Sequence, residues 1–361
     1  MAAEDAPAAG TAESAAAAAK PTESLSQFVA RVLSQLSLSA WIPSAALVLL
    51  LDLTAELGAQ LDAKRQGPLA ALGNTFAKMS TISIGSAVLL VLAIVVLTMV
   101  TQAFSFQAIQ VLEGYWGTRR PANWFGHRRC DKHRRTRGLL TESQKELTKA
   151  AWRGAEEHLE REQEARVERG QPVLFTPDMV AVIKARVLDR RVTVSLRPKE
   201  DKVASAFVEV WEWHAPAELL RRRANVDRRL ADYPSDERML PTRLGNILRA
   251  HEDLIRRIRI RSFVQELFAD LPPTMQAEHD EQRTRLDLYC SMVFVLGSAG
   301  LIAVARFAAH HWPYALFSAT VTVAGMRIMY GAALATARAY GNLLLTIRDY
   351  AAANSPRAPS A

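Results

Sequence analysis

Cysteine is scarce in this chain, with only Cys130 and Cys290 in 361 residues. That count excludes a disulfide-framed secreted fold, and both thiols fall near a face read below as cytoplasmic, so no structural disulfide is expected. Catalytic signatures are missing as well. No glycine-rich phosphate loop, G-x-S-x-G elbow or C-x-x-C pair occurs, and no nucleophile, base and orienting group can be assembled from named residues. An enzyme is therefore the last of the function classes, and no cofactor is expected. Charge is absent from residues 82–104, ISIGSAVLLVLAIVVLTMVTQAF. As a helix this stretch is long enough to cross the ~30 Å hydrocarbon core of a bilayer.

Three further stretches follow the same logic. A first span is expected over 37–53, where about sixteen apolar residues precede Asp52. Asp52 and Glu56 are read as ending it in the outer headgroups; a span continuing to Leu61 would make them intramembrane acids, which often mark ion or proton pathways. A short external loop with Gly67 and Pro68 leads to the second span. The third, 286–305, lies between Arg285 and Arg306 and carries Gly297 and Gly300, which permit close helix contact. After a turn at 310–313, HHWP, the fourth span is expected over 313–334. Arg327 then lies roughly 21 Å deep at 1.5 Å per residue, within snorkelling reach of the inner surface. Arg327, Arg338 and Arg348 share one side of a continuing helix and predict a basic stripe.

Orientation follows from the segment after the second span. Residues 118–137, TRRPANWFGHRRCDKHRRTR, set eight basic side chains, Arg119, Arg120, Arg128, Arg129, Lys132, Arg134, Arg135 and Arg137, against Asp131 alone. That asymmetry holds a helix end in the cytoplasm. Between spans two and three, residues 117–285 carry 35 Lys and Arg against 27 Asp and Glu, an excess equal to the +8 of the whole chain. Anionic lipid headgroups are the expected partner of this surface, at about 1 kcal/mol per basic residue near the membrane. The arginines at 221–223 and 256–261, Arg256 and Arg257 included, are framed by no nucleic-acid module, and no nucleic acid is expected.

The tail 1–24 is Ala-rich with Pro, Gly and acids, reads as disordered, and lacks the pattern of a cleaved signal peptide. Residues 26–36 predict a helix along the inner interface. The inter-span segment reads as helical. Thr141 with Gln144 has capping-box spacing and predicts a helix start there. Leu147, Ala151, Ala155 and Leu159 give that helix only a thin apolar stripe, which could pair with a partner helix, though a solvated helix stabilised by Glu and Arg neighbours is the favoured reading. Thr176 with Pro177 starts another helix, 192–196 suggests a strand or linker, and Val203, Phe207, Val210, Trp211 and His214 form a core face. A basic helix opens at Pro216, and Thr242 caps a helix after it.

The stretch LPTRLGNILRAHED at 240–253, followed by FADLPP at 268–273, RTRLD at 283–287 and a pair of apolar spans, resembles a family of bacterial multi-pass membrane proteins. LEGYW at 112–116 is similar to theirs as well, whereas RRIRIR at 256–261 departs from the family pattern. The resemblance covers roughly residues 80–350, its most specific part is LPTRLGN, and it implies topology, since the family has no established activity to carry over.

Two local clusters invite a metal reading. His127, Cys130 and His133 supply three ligands among arginines that would repel a cation, and His251, Glu252 and Asp253 lack H-E-x-x-H spacing. No metal site is assigned. The sequence thus predicts an all-α membrane protein of four transmembrane helices in two hairpins, 25–116 and 286–340, with a basic, mainly helical cytoplasmic domain at 117–285 and a cytoplasmic tail at 341–361. It is expected in the plasma membrane with both termini inside. Two functions are carried: a membrane-anchored interaction scaffold that meets a cytoplasmic protein or anionic lipid, and a homo-oligomeric channel or transporter component drawing on Asp52, Glu56, Arg306 and Arg327.

Overall fold

The computed structural model describes residues 38–62, 84–117, 120–189, 191, 194–255, 271–309 and 312–354. In chain order these form α1 (Leu38–Asp62), α2 (Ile84–Glu113), α3 (Arg120–Glu168), α4 (Pro177–Val187), α5 (Pro198–Val210), a 3-10 turn at Trp211–His214, α6 (Ala217–Leu230), α7 (Arg243–Ile255), α8 (Pro273–Ala308) and α9 (Trp312–Asn354). No strand occurs among the described residues, including 194–196. The expected interfacial helix at 26–36 and the loop at 67–68 lie outside the described residues.

Helices α1, α2, α8 and α9 are long and apolar enough to cross a membrane. Their exposed surfaces point the same way. Along α2 alone Val88, Leu89, Leu92, Val96, Met99, Val100, Phe104 and Phe106 are exposed. They are 42–70% exposed, so in water each forfeits about half of the roughly 1.5–3 kcal/mol that full burial yields. Eight together come to about 10 kcal/mol, the scale of a whole domain's net stability. A helix in hydrocarbon pairs its backbone internally and loses nothing by that exposure.

Small residues decide how the spanning helices approach. Gly300 of α8 faces Thr322 of α9 so closely that a Cβ would fall on the Thr322 hydroxyl, and Gly297 packs against Met326. The buried hydroxyls of Ser44 on α1 and Thr98 on α2 are satisfied: Ser44 pairs with the Thr101 hydroxyl at 2.8 Å, and Thr98 donates to the Ile94 carbonyl at 2.7 Å. α1 does not stop at Asp52. It runs through Asp52 and Glu56 to Asp62, because 52–61 holds no proline and its one glycine, Gly58, is tolerated where Arg306 packs on it. α9 likewise continues past the expected span, burying Leu343, Leu344 and Ile347.

The ends sort into two groups. Leu57 and Leu61 of α1, Ala303 and Phe307 of α8, and Tyr314 and Ala315 of α9 share one cluster. At the opposite ends, Ile109 and Leu112 of α2, Leu286 and Cys290 of α8, and Ala333, Leu334 and Ala337 of α9 pack around Leu244 and Ile247 of α7.

α3 is one helix of 49 residues, so it does not begin at Thr141. The Thr141 hydroxyl instead donates back to the Arg137 carbonyl at 3.0 Å, and Gln144 donates to Asp227 at 2.8 Å. Its apolar stripe is not solvated either. Ala151, Trp152, Ala155 and Leu159 are buried against Phe175, Met179, Ile183, Ala204, Phe207 and Trp211. α4 starts where expected, with the Thr176 hydroxyl accepting from the Met179 amide at 3.3 Å. On α5 the expected core face splits. Phe207 and Trp211 are buried but Val203 and Val210 are exposed, because the buried sector is centred on Ala204, Phe207 and Trp211, within about 60° at 100° per residue, and the two valines fall on its rim.

Candidate functional site

The LPTRLGN stretch is built to receive the C-terminal end of α2. Asn246, fully buried, clamps Leu240 from both sides: its side-chain oxygen accepts from the Leu240 amide at 2.7 Å and its amide donates to the Leu240 carbonyl at 3.0 Å. The Thr242 hydroxyl accepts from the Gly245 amide at 3.1 Å and caps α7 as expected. Gly245 sits directly on the Glu113 carbonyl, where any Cβ would collide. Gly114, at φ +103°, takes the left-handed turn that ends α2 and lies against the Pro241 ring. The Tyr330 hydroxyl of α9 accepts from the Leu244 amide at 3.2 Å. The motif therefore joins α2, α7 and α9 at one point.

A buried carboxylate ties the segment after α6 to the same place. Asp232 accepts two bonds from Arg338 of α9, at 2.7 and 2.8 Å, and one from Arg243 at 3.1 Å. Burial pushes its carboxyl up, but these arginines outweigh burial and hold it below the usual carboxylate range. Arg348 donates to the Leu254 carbonyl at 2.8 Å. Arg338 and Arg348 are thus occupied, and the predicted basic stripe reduces to the exposed Arg327. His251 is no surface residue: it is buried, its Nδ1 lies 2.8 Å from the Ile247 carbonyl, and its ring fills the space left by Gly341. Glu252 and Asp253 both pair with Arg238.

Beside this junction lies an open cavity of about 300 Å³. Phe106 and Ile109 of α2 give it an apolar wall, and Glu113, Arg249, Arg283 and Asp287 give it a charged one. Arg249 is held by Glu252 at 2.5 Å and by the Tyr115 hydroxyl.

α3 leaves the junction with two unlike faces. Trp124, Phe125, Arg128, Arg129, Lys132, Arg135 and Leu139 fall within a sector of about 140° at 100° per residue. All seven are exposed, Leu139 and Trp124 by 74% and 63%. The Arg128 and Arg129 guanidiniums lie over the Trp124 and Phe125 rings at 5.6 and 6.0 Å. The opposite face packs on the chain itself. Cys130 donates to the Met239 carbonyl at 3.4 Å, the His133 ring meets Tyr233 at 5.8 Å, Arg134 donates to the Asp236 carbonyl at 3.2 Å, and Arg137 pairs with the Asp236 carboxylate at 2.8 Å. Burial and the neighbouring Arg129 hold His133 below the usual histidine range. Cys130 and His133 are thus turned to Met239 and Tyr233, while His127, about 120° round the helix from His133, is exposed.

Of the ten basic residues singled out in the sequence, Arg128, Arg129, Lys132 and Arg135 share the exposed sector, and Arg120 is exposed at the first turn. Arg134 and Arg137 reach Asp236 on the opposite face, Arg134 still exposed, while Arg119, Arg256 and Arg257 lie outside the described residues. Asp52 is exposed and Glu56 half-buried on α1. Arg306 lies against Gly58 near that end. Arg327 stands about 20 Å along α9 from Tyr314 at 1.5 Å per residue, so the polar residues of the spans do not form one site. Sequence reasoning passed over Trp124, Phe125 and Leu139, whose signal was their helical spacing with the basic residues.

The fold and this junction define the class: an all-helical chain with four helices able to cross a membrane. No family model, curated protein or solved structure matches it.

Proposed function

We propose that the chain is a multi-pass integral protein of the plasma membrane, its spans in two hairpins, with both termini and residues 117–285 in the cytoplasm, and that it works as a membrane-anchored interaction scaffold. The positive-inside bias of 118–137 supports the orientation. The alternation of ends supports the hairpins, since the C-terminal ends of α1 and α8 meet the start of α9, away from the C-terminal end of α2. One observation carries the functional reading: the exposed aromatic and basic sector of α3, which begins eleven residues after α2 ends. An amphipathic helix there lies along anionic headgroups, with Trp124, Phe125 and Leu139 in the interface and four cations worth about 1 kcal/mol each. The remaining inter-span helices are then held at the membrane surface for a cytoplasmic protein to meet.

A spin label at Leu139→Cys, with Cys130→Ser and Cys290→Ala, tests this in lipid nanodiscs. Oxygen should reach the label better than a water-soluble nickel complex when anionic lipid is present, and neutralising Arg128, Arg129, Lys132 and Arg135 together should reverse that order. A label fully in water in the unneutralised protein ends the reading. Crosslinking in intact membranes then identifies the protein partner.

The cavity favours a second reading, a component of a homo-oligomeric channel or transporter, because Glu113 and Asp287 face it beside the spans. Solute or ion flux through reconstituted protein, lost in Glu113→Gln, supports that reading; liposomes that stay tight dispose of it.

A further inference from the structure

Far along α3 from its membrane-facing sector, His158 and Glu162 stand four residues apart on one face of the helix. The 3-10 turn after α5 brings His214 beside them, with the two imidazole rings 5.4 Å apart. One ligand atom from each side chain, two imidazole nitrogens and a carboxylate oxygen, lies within 4.8 Å of the others. Among the described residues no hydrogen bond or ion pair joins the three, so their donors converge on a shared space without filling it.

The backbones beneath are fixed. Leu159 is buried next to His158, Trp152 and Trp211 pack at 5.9 Å, and the Phe207 ring lies 5.2 Å from His214. Donors at about 2.0–2.2 Å from one ion stand roughly 3.3 Å apart in a tetrahedron, so side-chain rotation alone closes the set. Two imidazoles and a carboxylate suit a borderline divalent ion such as zinc or cobalt and disfavour calcium or magnesium, which take all-oxygen sites. The half-open position of the cluster leaves a fourth place for water.

We propose that His158, Glu162 and His214 bind one divalent transition-metal ion of the zinc type. The ion links α3 to the turn between α5 and α6, two elements that otherwise meet through the apolar core and the contact of the two rings. The inference rests on ligand geometry and is independent of the membrane reading.

Tag-free full-length protein in detergent, stripped with chelator, is titrated with zinc and with cobalt. One equivalent should bind saturably, cobalt should give the intense visible absorption of a tetrahedral nitrogen and oxygen site, and zinc should raise the unfolding midpoint. His158→Ala and His214→Ala should each weaken binding at least tenfold, Glu162→Gln several-fold, and His127→Ala, on another part of α3, not at all. Because His158 is exposed, its variant folds as the parent does, which the metal-free unfolding midpoint checks; it decides the matter should His214→Ala fail to fold. Absence of a one-equivalent site, or zinc binding unchanged in His158→Ala, overturns the proposal.

Discussion

Replacing Gly245 by alanine puts the junction between α2 and α7 to a direct test. The added methyl falls on the Glu113 carbonyl oxygen, with the carbonyl carbon at 2.9 Å and Leu240 Cδ1 at 2.8 Å, where ordinary contact begins at 3.4 Å. The leucine end can rotate, but the carbonyl is backbone, already fixed by the turn at Gly114. α7 must therefore retreat by about 1 Å, and a gap of that size forfeits a quarter to a half of each dispersion contact it opens. Leu244 and Ile247, both fully buried, lose part of their packing. Overpacking of this kind costs typically 1–3 kcal/mol, and the backbone obstacle places the change near 3 kcal/mol. Gly138→Ala is the matched control. Gly138 is exposed in α3 with nothing near its missing Cβ, so the same methyl should stabilise by about 0.5–1 kcal/mol through helix propensity alone. Unfolding in mild detergent, followed by circular dichroism, separates the two variants by about 4 kcal/mol on these figures. Equal behaviour of the two would mean that α7 does not dock on α2, and the junction would be refuted.

Three other outcomes follow from particular groups. Asp232 is held below its ordinary range in the fold, so its contribution is present above the unfolded carboxylate value near 4 and is lost as pH falls through the folded value. Asp232→Asn should cost about 1.5–3 kcal/mol at neutral pH, the range for hydrogen bonds to a charged group, and should flatten the acid limb of a stability–pH curve; an unchanged acid limb contradicts the linkage. Thr176→Ala removes the cap of α4 and should cost about 1 kcal/mol, read as faster amide exchange within 177–183 while α9 stays protected. Trp124→Ala with Phe125→Ala should leave the unfolding midpoint within about 0.5 kcal/mol, as for exposed positions, yet weaken headgroup contact in the spin-label assay; a large loss of stability would show these rings to be packed after all.

Local chemistry was readable wherever partners are close in sequence. The uncharged run of α2, the cap at Thr176, the cap at Thr242 and the helix opened by Pro216 all depend on residues within one or two turns, and all are present. Errors arose where a distant residue supplied the partner. Gln144 looked like a capping-box member, yet its amide is taken by Asp227, 83 residues on. Arg338 and Arg348 looked like a free basic stripe until the fold brought Asp232 and the Leu254 carbonyl against them. The stripe at Ala151 and Ala155 looked thin enough to favour a solvated helix over a packed one. Small residues there let neighbours come close, Gly154 against the Pro216 ring and Ala151 and Ala155 against the aromatic core, and Trp152 supplies the volume.

The sequence alone determined that the chain is helical and that four of its helices suit a bilayer, because apolar length and charge pattern act through the solvent and need no partner. Tertiary structure decided which basic residues stay exposed on α3, why LPTRLGN carries a glycine at its sixth and an asparagine at its last position, and that His158 meets His214. Those facts depend on distances between residues far apart in the chain, which packing sets and spacing does not.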